Sequence, residues 1–278
     1  GSESLLELLK QHCLVETVGY WAPGGIQQNV FGFDNETARS AVLIRSIHAM
    51  RLRRAIGTVS QCRVVFGHFP YVPLPAGLNA RYINMVREPL ARWQSLHAFY
   101  KSHHWCLTPS EDSRCSRDNG RRTYPDANQC VLAYASRGAP PADIATAPGF
   151  PPSAGTAVRA CVSARDAMMS DYFFRAGEEQ DVCDTRLLAN RYGIITVLER
   201  SAEDLPRLLR LLHNGSDAGA DRAVLPHRNR TPPPSDVPPQ GVGLSAEARA
   251  VIARELWCDY KIYGAVLAGG RPGAAQAA

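Results

Sequence analysis

Three short apolar runs constrain this chain more than anything else in it: Arg63–Phe66, Tyr82–Val86 and Ile194–Leu198. They show no polar alternation, so they read as strands buried on both faces of a parallel sheet. Each is followed by a polar or proline-containing turn, and after the second a helix is predicted from Pro89 to Lys101. Proline fits the first turn of a helix, where its missing N–H has no partner to lose. A shorter strand is expected over Val15–Tyr20. Leucine spacing predicts helices over Ser4–His12 and Glu203–His213. Further helices are expected over Thr37–Ile56, Asn128–Arg137, Cys161–Phe174, Asp184–Tyr192 and Ser245–Ala268, the last with Ser245 as N-cap. Strands alternating with helices predict an α/β fold with a mainly parallel sheet. One domain is expected over 1–268, with 103–157 as a loop-rich insertion and 269–278 as a flexible tail.

Composition narrows the function classes. At 45% hydrophobic and 21% charged residues the chain is globular, neither disordered nor fibrous. No apolar run approaches the ~18 residues of a membrane span, and the first residues carry no targeting signature. The net charge of +5 is too mild for a nucleic-acid-binding domain, but only three of the 31 basic residues are lysines. Guanidinium forks suit phosphate, sulfate and carboxylate, so an anionic ligand is compatible with this bias. None of the eight cysteines forms a CxxC pair, which argues against structural zinc and thioredoxin chemistry. Sequons at Asn35, Asn214 and Asn229, with several cysteines in loop-like sequence, favour an oxidising lumen.

The most informative segment runs from Tyr82 through Arg87-Glu-Pro to Ser95. Arg87 ends a buried strand, where α/β folds place ligand groups, and Ser95 follows two helical turns on. Spacing alone allows a ligand-binding pair, and equally an arginine at the sheet edge with a small exposed helix residue. The segment resembles the 3′-phosphate-binding motif of sulfotransferases that use 3′-phosphoadenosine 5′-phosphosulfate (PAPS). In particular it is similar to the heparan sulfate and uronyl 2-O-sulfotransferase family, which reads Tyr-Ile-Asn-x-x-Arg-Asp/Glu-Pro-x-x-Arg-x-x-Ser there. Residues 82–95 match every defined position, and a fainter likeness runs from residue 1 to about 265. The resemblance implies a P-loop-type sulfotransferase fold, with Arg87 and Ser95 on the 3′-phosphate of PAPS.

The same resemblance assigns further roles. His68, in Val64-Val-Phe-Gly-His-Phe-Pro, matches the family's catalytic base, while Phe66 stands where members often carry a helper histidine. An imidazole of ordinary pKa ~6.5 can take the proton of a sugar hydroxyl near neutral pH. Gly1, Ser2, Glu3 and Ser4 resemble the end of the loop that cradles the 5′-phosphosulfate, with Glu3 replacing the usual threonine; a cloning remnant reads the same way. The family's preceding strand and its lysine would then lie upstream. Arg228, Asn229, Arg230 and Thr231 resemble a late loop over nucleotide and glycan, or a solvated loop. Arg114, Arg117, Arg121 and Arg122, beside His103 and His104, stand where the family meets its acidic polysaccharide, although charge runs are usually solvated faces. Cys130–Cys161 matches a family disulfide, and Cys106–Cys115 is a local pairing.

The function implied is sulfuryl transfer from PAPS to a sugar hydroxyl, such as the 2-O position of a uronic acid, in an acidic polysaccharide. It implies no metal, no nucleic-acid partner and a Golgi-lumen enzyme held by a membrane helix upstream of residue 1; self-association is left open. Two rivals are weighed against it. A P-loop kinase lacks its GxxxxGK[ST] and an acidic magnesium pair here. A catalytically inactive sulfotransferase-like domain that binds glycan or nucleotide would account for Glu3 and Phe66.

Overall fold

A computed structural model describes residues 2–17, 44, 62–66, 71–75, 80–102, 127–136, 156–162, 168–174, 182–213 and 243–268. The described elements are, in chain order, α1 (Ser2–His12), β1 (Leu14–Thr17), β2 (Arg63–Phe66), β3 (Tyr82–Val86), α2 (Pro89–Ser102), α3 (Ala127–Ala135) and α4 (Thr156–Cys161). A 3₁₀ turn at Ser170–Tyr172 precedes α5 (Arg186–Arg191), β4 (Tyr192–Val197), a second 3₁₀ turn, α6 (Ser201–Leu212), α7 (Ala246–Glu255) and α8 (Trp257–Leu267). The predicted helix over 37–56, apart from helical Ile44, and the insertion over 103–126 lie outside the described residues. No helix among the described residues is long and apolar enough to cross a membrane.

Two compact units can be distinguished. The first comprises the described residues up to Val86 together with 186–213. Its strands pair only in parallel, as two separate two-stranded ladders, β1–β2 and β3–β4, where one sheet was expected. The leucines of α1 (Leu5, Leu8, Leu9) and of α6 (Leu205, Leu208, Leu209) form one core, against which Val15, Phe66, Ile83, Met85 and Ile194 pack. Glu7 and Lys10 of α1 pair on its outer side, while on α6 exposed Arg207 reaches the buried Asp204 carboxylate. The Cys13–Cys62 disulfide joins the residues just ahead of the pair Leu14↔Arg63, so it fixes the β1–β2 register at its start. In the second ladder Tyr82 pairs with Tyr192 but Ile83 with Ile194, which leaves Gly193 as a bulge. A Cβ at Gly193 would lie 3.1 Å from Arg81 Cδ, so the close approach of that side chain calls for glycine.

The second unit comprises the described residues from Arg87 to Thr185 with 243–268. Its core gathers Trp93 and Leu96 of α2, Val131 and Tyr134 of α3, Val158 of α4 and Val251, Ile252 and Leu256 of the C-terminal helices. Trp93 is fully enclosed, and its indole N–H donates to the carbonyl of Val158 at 3.1 Å. Cys130 and Cys161 are bonded, joining α3 to the end of α4. Ser245 caps α7 by accepting the Ala248 amide.

Three expectations need correction here. The helix predicted over Cys161–Phe174 is not continuous: α4 ends at Cys161, and Ser170–Tyr172 is a single 3₁₀ turn. The amides of Met169 and Ser170 donate to the Asp259 carboxylate, at 2.6 and 2.8 Å, rather than to helix carbonyls. The helix over Ser245–Ala268 is two, interrupted at Leu256, whose φ of −88° and ψ of 21° leave the helical range. That interruption sets the first turn of α8, where Cys258 bonds Cys183 and Asp259 meets the 3₁₀ turn. The first helix begins at Ser2 rather than Ser4.

The Cys183–Cys258 bridge spans 75 residues and holds Cys183 in the left-handed region, at φ 46°. Loop-closure entropy for that length is worth ~4 kcal/mol, less ~1–2 kcal/mol for the strained backbone. The double variant Cys183→Ala/Cys258→Ala should therefore lose roughly 2–3 kcal/mol of unfolding free energy in a urea titration. An unchanged midpoint would show that the bridge does not constrain the unfolded chain.

Candidate functional site

Arg87 stands one residue past the last pair of the β3–β4 ladder, Val86↔Val197. Within the strand the Met85 amide donates to Asn84 Oδ1 at 2.8 Å, and buried Thr196 donates to the Asn84 carbonyl. On β4 the last amide, Val197, is taken by the Asp204 carboxylate at 2.7 Å. The opposite end of the ladder carries Tyr71, Tyr82 and Tyr192 packed on one another, with the Arg191 guanidinium 4.3 Å from the Tyr71 ring. Tyr82 donates to the Val72 carbonyl, and burial first of all pushes its hydroxyl far above the usual range. The carboxyl end, the usual ligand side of parallel strands, is where Arg87 emerges.

Glu88 organises the turn that follows. One carboxylate oxygen accepts the amide of Ala91 at 2.6 Å, and the other accepts that of Leu90 at 3.2 Å. It is thus a side-chain cap for α2, with Pro89 at the first helical position. Tyr260 of α8 donates its hydroxyl to the same carboxylate at 3.0 Å. Burial, and after it this bond to Glu88, push the Tyr260 hydroxyl up to about 12, so it remains a proton donor. The first-turn amides of α2 therefore already have an anion. Any further anion at this turn would have to be met by side chains rather than by the Leu90 and Ala91 amides.

Ser95 lies two positions beyond Trp93, about 200° round the helix, on the side turned away from the core that Trp93 fills. Both Ser95 and Arg87 are half-buried. A guanidinium and a hydroxyl, with amides excluded, fit a phosphomonoester, which takes bidentate and single hydrogen bonds on separate oxygens. Arg92, the motif's other arginine, is engaged elsewhere: it acts electrostatically on the buried carboxylates of Asp171 and Asp259. Asp171 receives both guanidinium nitrogens of Arg159, at 2.7 and 2.8 Å. Burial outweighs these partners and pushes its carboxyl up to about 6.

The remaining expected residues divide simply. Ser2, Glu3 and Ser4 form the first turn of α1 rather than a loop ahead of it, and they belong to the first unit, whereas Arg87 and Ser95 belong to the second. Gly1, His68, Arg228, Asn229, Arg230, Thr231, Arg114, Arg117, Arg121, Arg122, Cys106 and Cys115 lie outside the described residues. Sequence reasoning missed Glu88 and Tyr260. Glu88 carried a signal, since an acidic residue directly before Pro at the first helical position occupies the N-cap. Tyr260 carried none.

One polar pair in the first unit stands apart from this turn. His12 and His213 meet edge to face with ring centroids 5.9 Å apart. Burial, then the neighbouring His213, lower the His12 pKa, and His213 Nε2 is buried without a hydrogen-bond partner. Among the described residues no group of three or more His, Cys, Asp or Glu could hold a metal ion. Comparison with protein-family models, with curated proteins and with solved structures found no match to this chain.

Proposed function

We propose that this chain is a PAPS-dependent carbohydrate sulfotransferase of the 2-O-sulfotransferase type, acting on a sugar hydroxyl of an acidic polysaccharide. The observation that carries the reading is the segment 82–95, which matches the family's motif at each defined position. It folds as a parallel strand running into a Glu88-capped helix. Arg87 holds the nucleotide's 3′-phosphate through its planar fork, and Ser95 adds a hydroxyl donor. Ser2, Glu3 and Ser4 are assigned to the 5′-phosphosulfate by the resemblance alone. PAPS, when bound, supplies the activated sulfuryl group. His68 accepts the proton of the attacking sugar hydroxyl. The protein's remaining contribution is to position these groups in line and offset the negative charge that spreads over the transferring group. By the resemblance, Arg228, Asn229 and Thr231 are assigned to the nucleotide, and Arg114, Arg117, Arg121 and Arg122 to the acceptor. The enzyme works in the Golgi lumen.

Arg87→Ala should weaken binding of adenosine 3′,5′-bisphosphate by ~1.5–3 kcal/mol, a charged hydrogen bond's worth. Isothermal titration of the two proteins measures this directly, and equal affinities would refute the site. Transfer of radiolabelled sulfate from PAPS to a panel of acidic glycans then separates an enzyme from an inactive binding domain. Nucleotide binding without transfer to any member of the panel would favour the inactive reading.

A further inference from the structure

Two of the most exposed large apolar residues described, Val182 at 65% and Trp257 at 45%, are each the neighbour of a half-cystine in the Cys183–Cys258 bridge. The bridge fixes both while keeping its own sulfurs buried, with Cys183 at a backbone conformation that side chains rarely adopt. Trp257 opens α8, and the Lys261 ammonium lies 6.0 Å from its ring centroid, one helical turn on. A further turn along the same stripe, at i+7, comes exposed Gly264, where an added Cβ would meet nothing within 4 Å. Packing therefore does not demand glycine there, and in a helix interior glycine is destabilising relative to alanine. Its effect is to leave bare backbone beside the cation. The stripe thus offers a flat aromatic face, one positive charge and an unobstructed turn of helix. Large exposed apolar groups arranged in this way mark interaction sites.

We infer that the Trp257–Lys261–Gly264 stripe is a platform for one acidic sugar residue of a polysaccharide chain. The apolar face of the pyranose ring stacks on the indole, while its carboxylate or sulfate pairs with Lys261. Charge decides for this occupant: the ammonium over the ring would repel a basic partner and gains nothing from a neutral one. Bare backbone at Gly264 lets the next sugar follow the helix closely. The inference rests on the reading of the acceptor as an acidic polysaccharide, and adds a subsite remote in sequence from Arg87 and His68.

The test uses the full chain and four probes. These are a sulfated, uronate-containing hexasaccharide, a neutral maltohexaose, vesicles containing phosphatidylserine, and adenosine 3′,5′-bisphosphate as control. Trp257→Ala and Lys261→Gln should each weaken hexasaccharide binding about tenfold or more, while Trp257→Phe stays within about threefold. Gly264→Leu, which walls off the turn, should also weaken it. Nucleotide affinity should be unchanged in all four. Hexasaccharide affinity unaffected by Trp257→Ala, equal binding of maltohexaose, or tighter binding of the vesicles would each overturn the platform. Self-association lost on Trp257→Ala in sedimentation would overturn it too, by showing that a second copy covers the stripe. Binding of the nucleotide but not the hexasaccharide sinks the platform and leaves the sulfotransferase reading standing. Trp257-dependent hexasaccharide binding without nucleotide binding does the reverse.

Discussion

Replacing Arg159 by alanine is expected to lower the unfolding free energy by about 3–5 kcal/mol, the usual result of orphaning one member of a buried ion pair. The side chains of Arg159 and Asp171 are only 2% and 6% exposed, and the pair is bidentate. Removing the guanidinium leaves a carboxylate with no water to replace it. The sign of the accompanying pH dependence follows from the Asp171 carboxyl, which burial already raises to about 6 from an ordinary 3.8. The folded state thus binds a proton more readily than the unfolded chain, so this group's contribution to stability grows as the pH falls from about 6 towards 4. Asp259 and Glu255, both raised chiefly by burial, act in the same direction. The loss on Arg159→Ala should accordingly be larger at pH 8 than at pH 5. Urea unfolding at both pH values measures it. The double variant Arg159→Met/Asp171→Leu should recover most of the stability, because an apolar pair of similar volume needs no compensation. A single variant within about 1 kcal/mol of the parent would mean that the pair is not enclosed as described.

His68→Ala is expected to reduce sulfate transfer by roughly 10²–10⁴-fold while leaving affinity for adenosine 3′,5′-bisphosphate within a few-fold. The split between rate and binding is the informative part. Under the proposed function a general base would act on the acceptor hydroxyl, so its removal should not disturb a nucleotide held through Arg87 and Ser95. The pH profile gives a second readout: in the parent protein transfer should fall as the pH drops through ~6.5, where the imidazole takes up its own proton. In His68→Ala that limb should vanish. Transfer within about threefold of the parent would remove His68 from the mechanism, and a parallel loss of nucleotide binding would make it a structural residue.

The short buried strands were the most legible part of the chain. Arg63–Phe66 and Tyr82–Val86 occupy the bounds their apolar runs predict. The strand expected at Ile194–Leu198 begins two residues early, because Tyr192 joins the aromatic cluster and Gly193 bulges out of register. The segment around Ser170 was illegible for a different reason. Its amides bond to Asp259, some ninety residues on, and no local pattern reports such a partner. The cysteines behave likewise: spacing cannot assign Cys13 to Cys62 or Cys183 to Cys258, and Cys130–Cys161 was expected only through the family resemblance. In the candidate site, Arg87 and Ser95 were singled out by the family resemblance, spacing alone having left them open. Arg159, Asp171 and Asp259 would pass in sequence for solvent-facing charges, and it is their burial that sets them apart.

The bond from Tyr260 to Glu88 ties the last helix to the turn that presents Arg87. Cutting the chain short before position 260 would do more than shed a terminal element: it would loosen the α2 cap and, under the proposed function, weaken the hold on the nucleotide's 3′-phosphate. Trimming from that end, by protease or by design, would therefore loosen the α2 cap and remove Lys261 and Gly264 at the same time.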